Sequence, residues 1–169
     1  MPGALGRDEA DAEAGAVAPA GPDRREPMRN PAILLPMFAL AAWTLLVLVL
    51  IPLVRARAAR RREIVIDDFR YGESANVPAA VSIPNRNYMN LLELPMLFYI
   101  VCLVLYVTGG ASSIAIAIAW AFVALRVVHS VIHLTYNRVV HRLAAFTAAN
   151  VALVFLWVIA AAHVVAPAP

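Results

Sequence analysis

The sequence predicts an all-α membrane protein, a bundle of four transmembrane helices, on two observations. The 169 residues are 62% hydrophobic and 15% charged, whereas soluble domains average about 45–50% and about 25%. The hydrophobic residues also collect into four long stretches, each close to the roughly 20 residues that cross a bilayer. Helices are expected because lipid offers no partner for open backbone groups, and the stretches lack the alternation of barrel strands. We place the spans at residues 32–54, 89–108, 113–132 and 143–165.

Residues 1–30, ahead of the first span, are predicted to form a disordered tail, because charged side chains alternate there with Ala, Gly and Pro. No apolar run of a cleavable signal peptide follows the start, so we expect the first span to direct insertion. The membrane domain is then predicted to cover residues 31–166. Pro36 and Pro52 fall inside the first span, where neighbouring helices can satisfy the freed carbonyls.

The loop predicted at residues 55–86 sets the orientation of the bundle. It carries seven arginines, five of them between Arg55 and Arg62, whereas the turn at residues 109–112 carries none. Because basic loops stay in the cytoplasm, this loop is predicted to be cytoplasmic and both termini periplasmic. The expected location is a bacterial inner membrane. The dispersed net charge of +3 gives no reason to expect nucleic acid as a partner; membrane lipids are the expected surroundings.

Three short series of polar residues occur near one level of the predicted bundle. Glu93 and Arg126 flank residues 94–125, which carry no formal charge, and an ionisable side chain at membrane depth is usually paired or part of a site. Residues three or four apart share a helix face. Three faces are therefore predicted to meet at the cytoplasmic side: Arg86, Asn90 and Glu93; Arg126, His129, His133 and Tyr136; and Arg142, Phe146 and Asn150.

Spacing alone leaves several interpretations of this cluster open. Glu93 and Arg126 could form a structural ion pair that locks two helices together. His129 and His133, four residues apart, suit two metal ligands on one face, although no HExxH pattern accompanies them, and we predict no metal. A proton or solute pathway lined by ionisable side chains is a further alternative.

The run from Arg86 to Pro95, with Asn90 and Glu93 inside it, resembles the R-x-x-x-N-x-x-E signature of the MAPEG superfamily. These are membrane-associated proteins in eicosanoid and glutathione metabolism. Arg126 with His129 resembles the R-x-x-H run of their third span. Arg142 follows at the position of a catalytic arginine in the prostaglandin-synthase branch. The resemblance covers about residues 31–165.

The resemblance implies a homotrimer that binds glutathione as a cosubstrate between the second span of one subunit and the third and fourth of another. Arg142 would stabilise the thiolate and be the catalytic residue, since a nearby guanidinium lowers a thiol pKa. A hydrophobic small molecule would be conjugated or reduced. The residues implied in substrate and glutathione binding are Arg86, Asn90, Glu93, Arg126, His129, His133 and Tyr136.

Three positions depart from the pattern of the catalytic prostaglandin branch. His133 and Phe146 stand where those proteins have tyrosines, and Leu143 stands where they have a serine. The phenyl ring cannot donate a hydrogen bond. The departures keep a second hypothesis open, a non-catalytic protein of this fold that binds a lipid or a protein partner.

Overall fold

In the computed structural model, which describes residues 29–166, the described chain forms five α-helices and two short 3-10 helices without a β-strand. Four segments are long and apolar enough to cross a membrane: Pro31–Arg60, Ala79–Val107, Ser113–Leu134 and Val139–Val165. This confirms the predicted all-α, four-span fold. The tail predicted over residues 1–30 lies, up to residue 28, outside the described residues. The helices are α1 (Leu34–Arg60), α2 (Ala79–Leu92), α3 (Leu94–Val107), α4 (Ser113–Leu134) and α5 (Val139–Val165).

The helix α1 is longer than the apolar run that predicts it. A 3-10 turn at Pro31–Ile33 leads into it, and the side chain of Asn30 caps this turn by accepting a hydrogen bond from Ala32 N–H. The helix continues through Pro52 to Arg60. The chain then turns back at Arg62, whose φ of 58° is in the left-handed region. The loop after α1 therefore starts near residue 61 rather than at residue 55.

The second span consists of two helices that meet at Glu93. The backbone at Glu93 has ψ of −87°, and Pro95 is in the first turn of α3. Because proline has no N–H, the carbonyl one turn earlier loses its donor and the helix breaks. The helix α2 begins at Ala79, not near residue 89 as predicted, and it contains Pro84. Residues 79–86, predicted as loop, are therefore helical, which gives Arg86 and Asn90 a fixed place on α2.

A short turn joins α3 to α4, and a second one joins α4 to α5. Gly109 has φ of 75° in the first turn, and Ser112 caps α4 by accepting from Ala115 N–H at 3.2 Å. In the second turn, Asn137 has φ of 47°, a conformation that asparagine tolerates better than most residues. The consequence is close packing of α4 against α5, and α1 packs mainly against α2.

The apolar core lies between the spans and away from the polar residues. Phe98 on α3 stacks on Phe122 on α4 with ring centroids 4.4 Å apart, and both are fully buried. Leu40 from α1 and Leu156 from α5 close this layer. Small alanines on α4 let the helices approach closely, as in other membrane bundles. Towards the loop that follows α1, this layer gives way to the polar cluster.

Candidate functional site

Arg126 is the most deeply buried charged side chain among the described residues, with no exposed surface. The residue sits on the inner face of α4, one turn beyond Phe122. Its guanidinium lies 5.3 Å from the ring of Phe122 and 5.1 Å from the ring of Phe146. Nη2 donates to Asn150 Oδ1 at 3.4 Å. Nε and Nη1 are buried and have no hydrogen-bond partner in the described part of the chain, so this cation is only partly satisfied.

Glu93 and Arg126 do not form the ion pair that spacing allowed. Within residues 29–166, no ion pair links the two side chains, and Glu93 is exposed at the break between α2 and α3. The N–H of Glu93 still donates to the carbonyl of Met89 at 3.2 Å, so Glu93 ends α2 and the break redirects the chain that follows it. Glu93 still lies close enough to Arg126 for electrostatic attraction. The alternative of a direct Glu93–Arg126 lock is therefore wrong for this single chain.

Arg142, in the first turn of α5, is held by groups from the end of α4 and the turn after it. Its Nη1 donates to Asn137 Oδ1 at 2.8 Å. The same nitrogen lies 3.3 Å from Nδ1 of His133 and 3.4 Å from its Nε2. His133 is buried, whereas Arg142 is half-buried. Both neighbours contact the same nitrogen, and the side chain of Arg142 also lines the cleft described next.

A cleft of about 220 Å³ opens between α2, α4 and α5 at the level of these side chains. Three predicted site residues, Asn90, His129 and Arg142, line it. Val139, Leu143 and Phe146 supply its apolar wall. The cleft therefore combines one guanidinium and one amide with hydrophobic surface, a composition typical of small-molecule sites.

His129 faces this cleft from α4 with one ring nitrogen in use and one free. Its Nδ1 lies 3.0 Å from the carbonyl oxygen of Arg142, so Nδ1–H must donate there, since a carbonyl only accepts. Nε2 is buried without a partner among the described residues. In the neutral ring Nε2 is then an acceptor, and the site gains a group able to receive a proton.

The structure does not bring every predicted residue into the cleft. The hydroxyl of Tyr136 lies 3.2 Å from Nδ1 of His141, and the tyrosine is exposed. The reason is that α4 ends at Leu134, so the helical spacing that placed Tyr136 beside His133 no longer applies. Arg86 is exposed on α2, although it is close enough to His133 to repel it electrostatically. Glu93 is also outside the cleft, at the surface.

Two asparagines that the sequence did not single out support the site. The buried Asn87 donates from Nδ2 to the hydroxyl of Ser130 at 2.6 Å and joins α2 to α4. Asn137 anchors Arg142 from its left-handed turn. The position of Asn87 directly after Arg86 was a sequence signal that could have identified it. The role of Asn137 depends on a backbone conformation that spacing does not reveal.

The histidines do not form a recognisable metal site. The rings of His129 and His133 lie edge to face, with centroids 6.1 Å apart. Within residues 29–166, no group of three or more His, Cys, Asp or Glu side chains is placed to hold a metal ion. His133 instead contacts Arg142, and His129 contacts the backbone of α5. The arrangement is suited to binding an organic anion through arginine.

Comparison with known proteins returned one finding. The family model described as the MAPEG family matches residues 33–162 of the chain. This range runs from the 3-10 turn before α1 to the last turns of α5 and includes every residue of the cleft. No curated protein and no solved structure matches the chain.

Proposed function

The chain belongs to the MAPEG family, and we propose that it binds glutathione or a related thiol in the α2–α4–α5 cleft. The bound thiolate would be transferred to an electrophilic hydrophobic substrate or would reduce a hydrophobic peroxide. Glutathione has two carboxylates, one ammonium and one thiol. The cleft and its surroundings offer arginines for the carboxylates and Glu93 for the ammonium. Hydrophobic substrates would arrive from the lipid.

One observation carries this proposal, the incomplete pairing of Arg126. Burying a charge without partners is costly, and breaking a buried pair costs about 3–5 kcal/mol. Yet two nitrogens of this buried guanidinium have no partner among the described residues. Guanidinium N–H groups form strong, charge-assisted hydrogen bonds with carboxylates. Arg126 does not line the cleft itself but packs against the ring of Phe146, which does. A glutathione carboxylate that displaced this ring would supply a partner that the protein alone does not.

Arg142 is our candidate for thiolate stabilisation. It lines the cleft, and its orientation is fixed by Asn137 and His133. A guanidinium beside a sulfur favours the charged form, and the thiolate is the nucleophile. His129, with Nε2 free, is placed on the same wall to take up the thiol proton.

The size of the cleft supports the proposal that the protein acts as a homotrimer. Ligand pockets commonly enclose about 300–1,000 Å³, and the single-chain cleft has about 220 Å³. Arg86 and Glu93, both implied in thiol binding, are exposed on one chain. A neighbouring copy would enlarge the site and bring such residues against the ligand. The expected molecular mass in detergent is that of three chains.

The site is tested by titrating the purified full chain with glutathione in a calorimeter and then assaying it with a chlorinated aromatic and a lipid hydroperoxide. We expect Arg126→Ala to lose binding and Arg142→Ala to keep most of the binding but lose turnover. Arg138→Ala, an exposed arginine outside the cleft, serves as the matched control. A parent protein that binds no glutathione, or variants that bind like the parent, would overturn the proposal.

A second candidate function is binding of a lipid or protein partner without catalysis. Phe146 and Leu143 favour it, because both line the cleft with apolar surface where catalytic relatives of the prostaglandin branch carry hydroxyl groups. The same titration separates the two candidates. No glutathione binding by the parent protein, or unchanged binding in both arginine variants, would support the non-catalytic function.

The proposed location is the bacterial inner membrane, with the arginine-rich loop in the cytoplasm and both termini in the periplasm. The arginines after α1 and the uncharged turn between α3 and α4 support this orientation. A cysteine placed in the loop at Ser74, in a Cys102→Ala background, is expected to react with an impermeant thiol reagent only after cells are opened. Labelling in intact cells would reverse the orientation.

A further inference from the structure

A second concave surface lies beside the end of α1, apart from the cleft. This groove, which we call the α1 groove, has a volume of about 330 Å³. Arg55 stands at one side of it. Its remaining walls are apolar and come from the last turns of α1 and the start of the following loop: Ala56, Ala59, Ile64, Val65, Ile66 and Phe69.

The loop that forms the α1 groove is held in a defined shape. Asp68 accepts hydrogen bonds from Val65 N–H and from the Ser74 hydroxyl, both at 2.8 Å. Arg55 donates to Glu73 at 2.9 Å, and its guanidinium lies 4.3 Å above the ring of Phe69. The groove is therefore built before any ligand arrives, and its acidic neighbours Asp68 and Glu73 are already engaged.

The apolar wall of the α1 groove is open to its surroundings. Ile66 is 93% exposed and Val65 is 63% exposed. Both residues follow within six positions of the end of a membrane-spanning segment, so we expect them near the level of lipid headgroups and upper acyl carbons. Hydrophobic side chains exposed there have lipid rather than water as a natural contact.

The polar rim of the α1 groove is basic and largely unpaired. Arg60 lies one turn after Ala56 on α1 and so flanks the groove. Arg62 lies in the turn that joins Ala59 to Ile64, two residues that line the groove. Neither forms an ion pair within the part of the chain that the structure describes, and both are exposed. Arg61 contacts Glu63 at 3.8 Å. Two free guanidinium groups therefore lie next to an apolar surface.

Arg62 has a backbone conformation that favours glycine. With φ of 58°, it follows the last residues of α1, and the N–H groups of Arg62 and Glu63 donate back to Ala59 and Ala58. This pattern is a Schellman motif, in which glycine is the usual residue at the left-handed position. An arginine kept in a strained conformation is a reason to look for a function of its side chain.

We propose that the α1 groove binds an anionic phospholipid. The phosphate would be bound by Arg60 and Arg62, since arginine recognises phosphate through paired N–H donors. The upper acyl chain would lie along Val65 and Ile66. Basic residues directly after a span attract anionic lipid headgroups. Electrostatic attraction alone needs no apolar wall, so the wall of the groove indicates a site that also contacts the acyl chain. The inference does not depend on thiol binding in the cleft.

The test follows thermal unfolding of the purified full chain in a neutral detergent. Phosphatidylglycerol, phosphatidylcholine with the same acyl chains, or inorganic phosphate is added to separate samples. We expect phosphatidylglycerol to raise the Tm by about 3 °C or more, through preferential binding to the folded protein. Phosphatidylcholine and inorganic phosphate should each have less than half of this effect.

Three variants locate the effect. Arg60→Gln with Arg62→Gly removes both charges and gives residue 62 the amino acid that its conformation favours, so the helix end is preserved. Ile66→Ser removes the most exposed part of the wall. Each should lose at least half of the Tm increase. Arg70→Gln with Arg138→Gln removes the same charge from exposed positions outside the groove and should retain it.

Several results would overturn the proposal. One is a parent protein whose Tm does not respond to phosphatidylglycerol. Another is an equal response to phosphatidylcholine or to inorganic phosphate, which would mean a general detergent or ion effect. A third is equal loss in the Arg70/Arg138 control, which would mean that net charge rather than this groove attracts the lipid.

Discussion

The two ends of the bundle treat their polar groups differently. At the end that carries the α3–α4 turn, polar side chains bond to open backbone carbonyls. His163 Nε2 lies 3.0 Å from the carbonyl oxygen of Thr108, and Asn30 donates to Ala111 O at 3.5 Å. At the other end, Arg126 and His129 are buried with ring or guanidinium nitrogens that have no partner within residues 29–166.

The two ends therefore differ in role. Polar groups at the α3–α4 end stabilise the fold, whereas those at the cleft end are available to bind a ligand. Polar atoms inside lipid are normally satisfied, since each open one is costly. The α3–α4 end follows this rule with neutral hydrogen bonds that join distant parts of the chain. The cleft end breaks it with a charged side chain, and a buried, incompletely paired charge is expected where function needs it. The comparison predicts that changes in the core and at the α3–α4 end lower stability, whereas changes at the cleft end lower binding or turnover.

The largest effect is expected for Phe98→Ala in the apolar core between the two ends. The ring is fully buried and stacks on Phe122, so its removal leaves a cavity. We expect a loss of about 3 kcal/mol in the free energy of unfolding, near the lower end for such changes because lipid adds no hydrophobic driving force. Unfolding in mixed detergent measures it. Leu97→Ala, at an exposed position of the same helix, is the control.

Arg126→Met tests the opposite end and should affect binding rather than stability. Methionine fills much of the volume without a charge, and replacement of buried ionic groups by apolar ones is often neutral or stabilising. We expect the Tm to stay the same or rise, while glutathione affinity falls by about a hundredfold, because a charged hydrogen bond contributes roughly 1.5–3 kcal/mol. A large drop in Tm with unchanged affinity would show that Arg126 belongs to the stabilising groups instead.

The sequence predicted the spans better than it predicted their ends. Long apolar runs require helices in lipid, and the four spans follow from that requirement alone. The start of α2 at Ala79 could not be inferred, because Pro84 and the polar residues up to Asn90 have the composition of a loop. They are helical in the structure, where α2 packs against α1 and α4 and Asn87 bonds to Ser130.

The candidate site was predictable where helices continue and not where they break. Arg126, His129 and His133 share a face of α4 because the helix is regular there, and all three are buried, with His129 in the lining of the cleft. Glu93 and Tyr136 were assigned by the same spacing. Because α4 ends at Leu134, Tyr136 leaves the predicted face. Glu93 is exposed at the end of α2, where the backbone breaks. Spacing has no information about such breaks.

A smaller effect on turnover is expected for Asn137→Gly. Glycine suits the φ of 47° and removes the oxygen that holds Arg142 Nη1 at 2.8 Å. Arg142 should become less fixed, and we expect kcat for conjugation to fall about tenfold, which is near the lower end for a charged hydrogen bond because Arg142 keeps its contact with His133. The Tm should change little. Asn137→Asp, which keeps an acceptor at this position, is expected to retain more activity than the glycine variant.

Gly110→Ala tests the α3–α4 end and should affect stability alone. A Cβ at this position would lie 2.6 Å from Cδ2 of His163, so the ring must move and its contact with Thr108 O is lost. We expect about 1 kcal/mol less stability, the value of one hydrogen bond, with glutathione affinity unchanged. If affinity fell as well, the two ends would be coupled and the comparison between them would fail.

The smallest effect concerns pH and the loop after α1. Hydrogen bonds from Val65 N–H and the Ser74 hydroxyl hold the pKa of Asp68 below its ordinary value. A lowered pKa means that the folded loop favours the carboxylate. Its contribution is therefore present above the ordinary aspartate pKa of 3.8 and is lost as the pH falls through the lower folded value.

Limited proteolysis of the loop by an acid-active protease, at pH values from 6 down to 2.5, measures this contribution. Cleavage in the parent protein should increase at the acid end of the range. Asp68→Asn should be cleaved at a raised rate already at pH 6 and show less pH dependence, because its amide cannot become a carboxylate. Asp67→Asn, at the exposed neighbouring position, should follow the parent. Equal profiles for all three proteins would assign the acid sensitivity to another group.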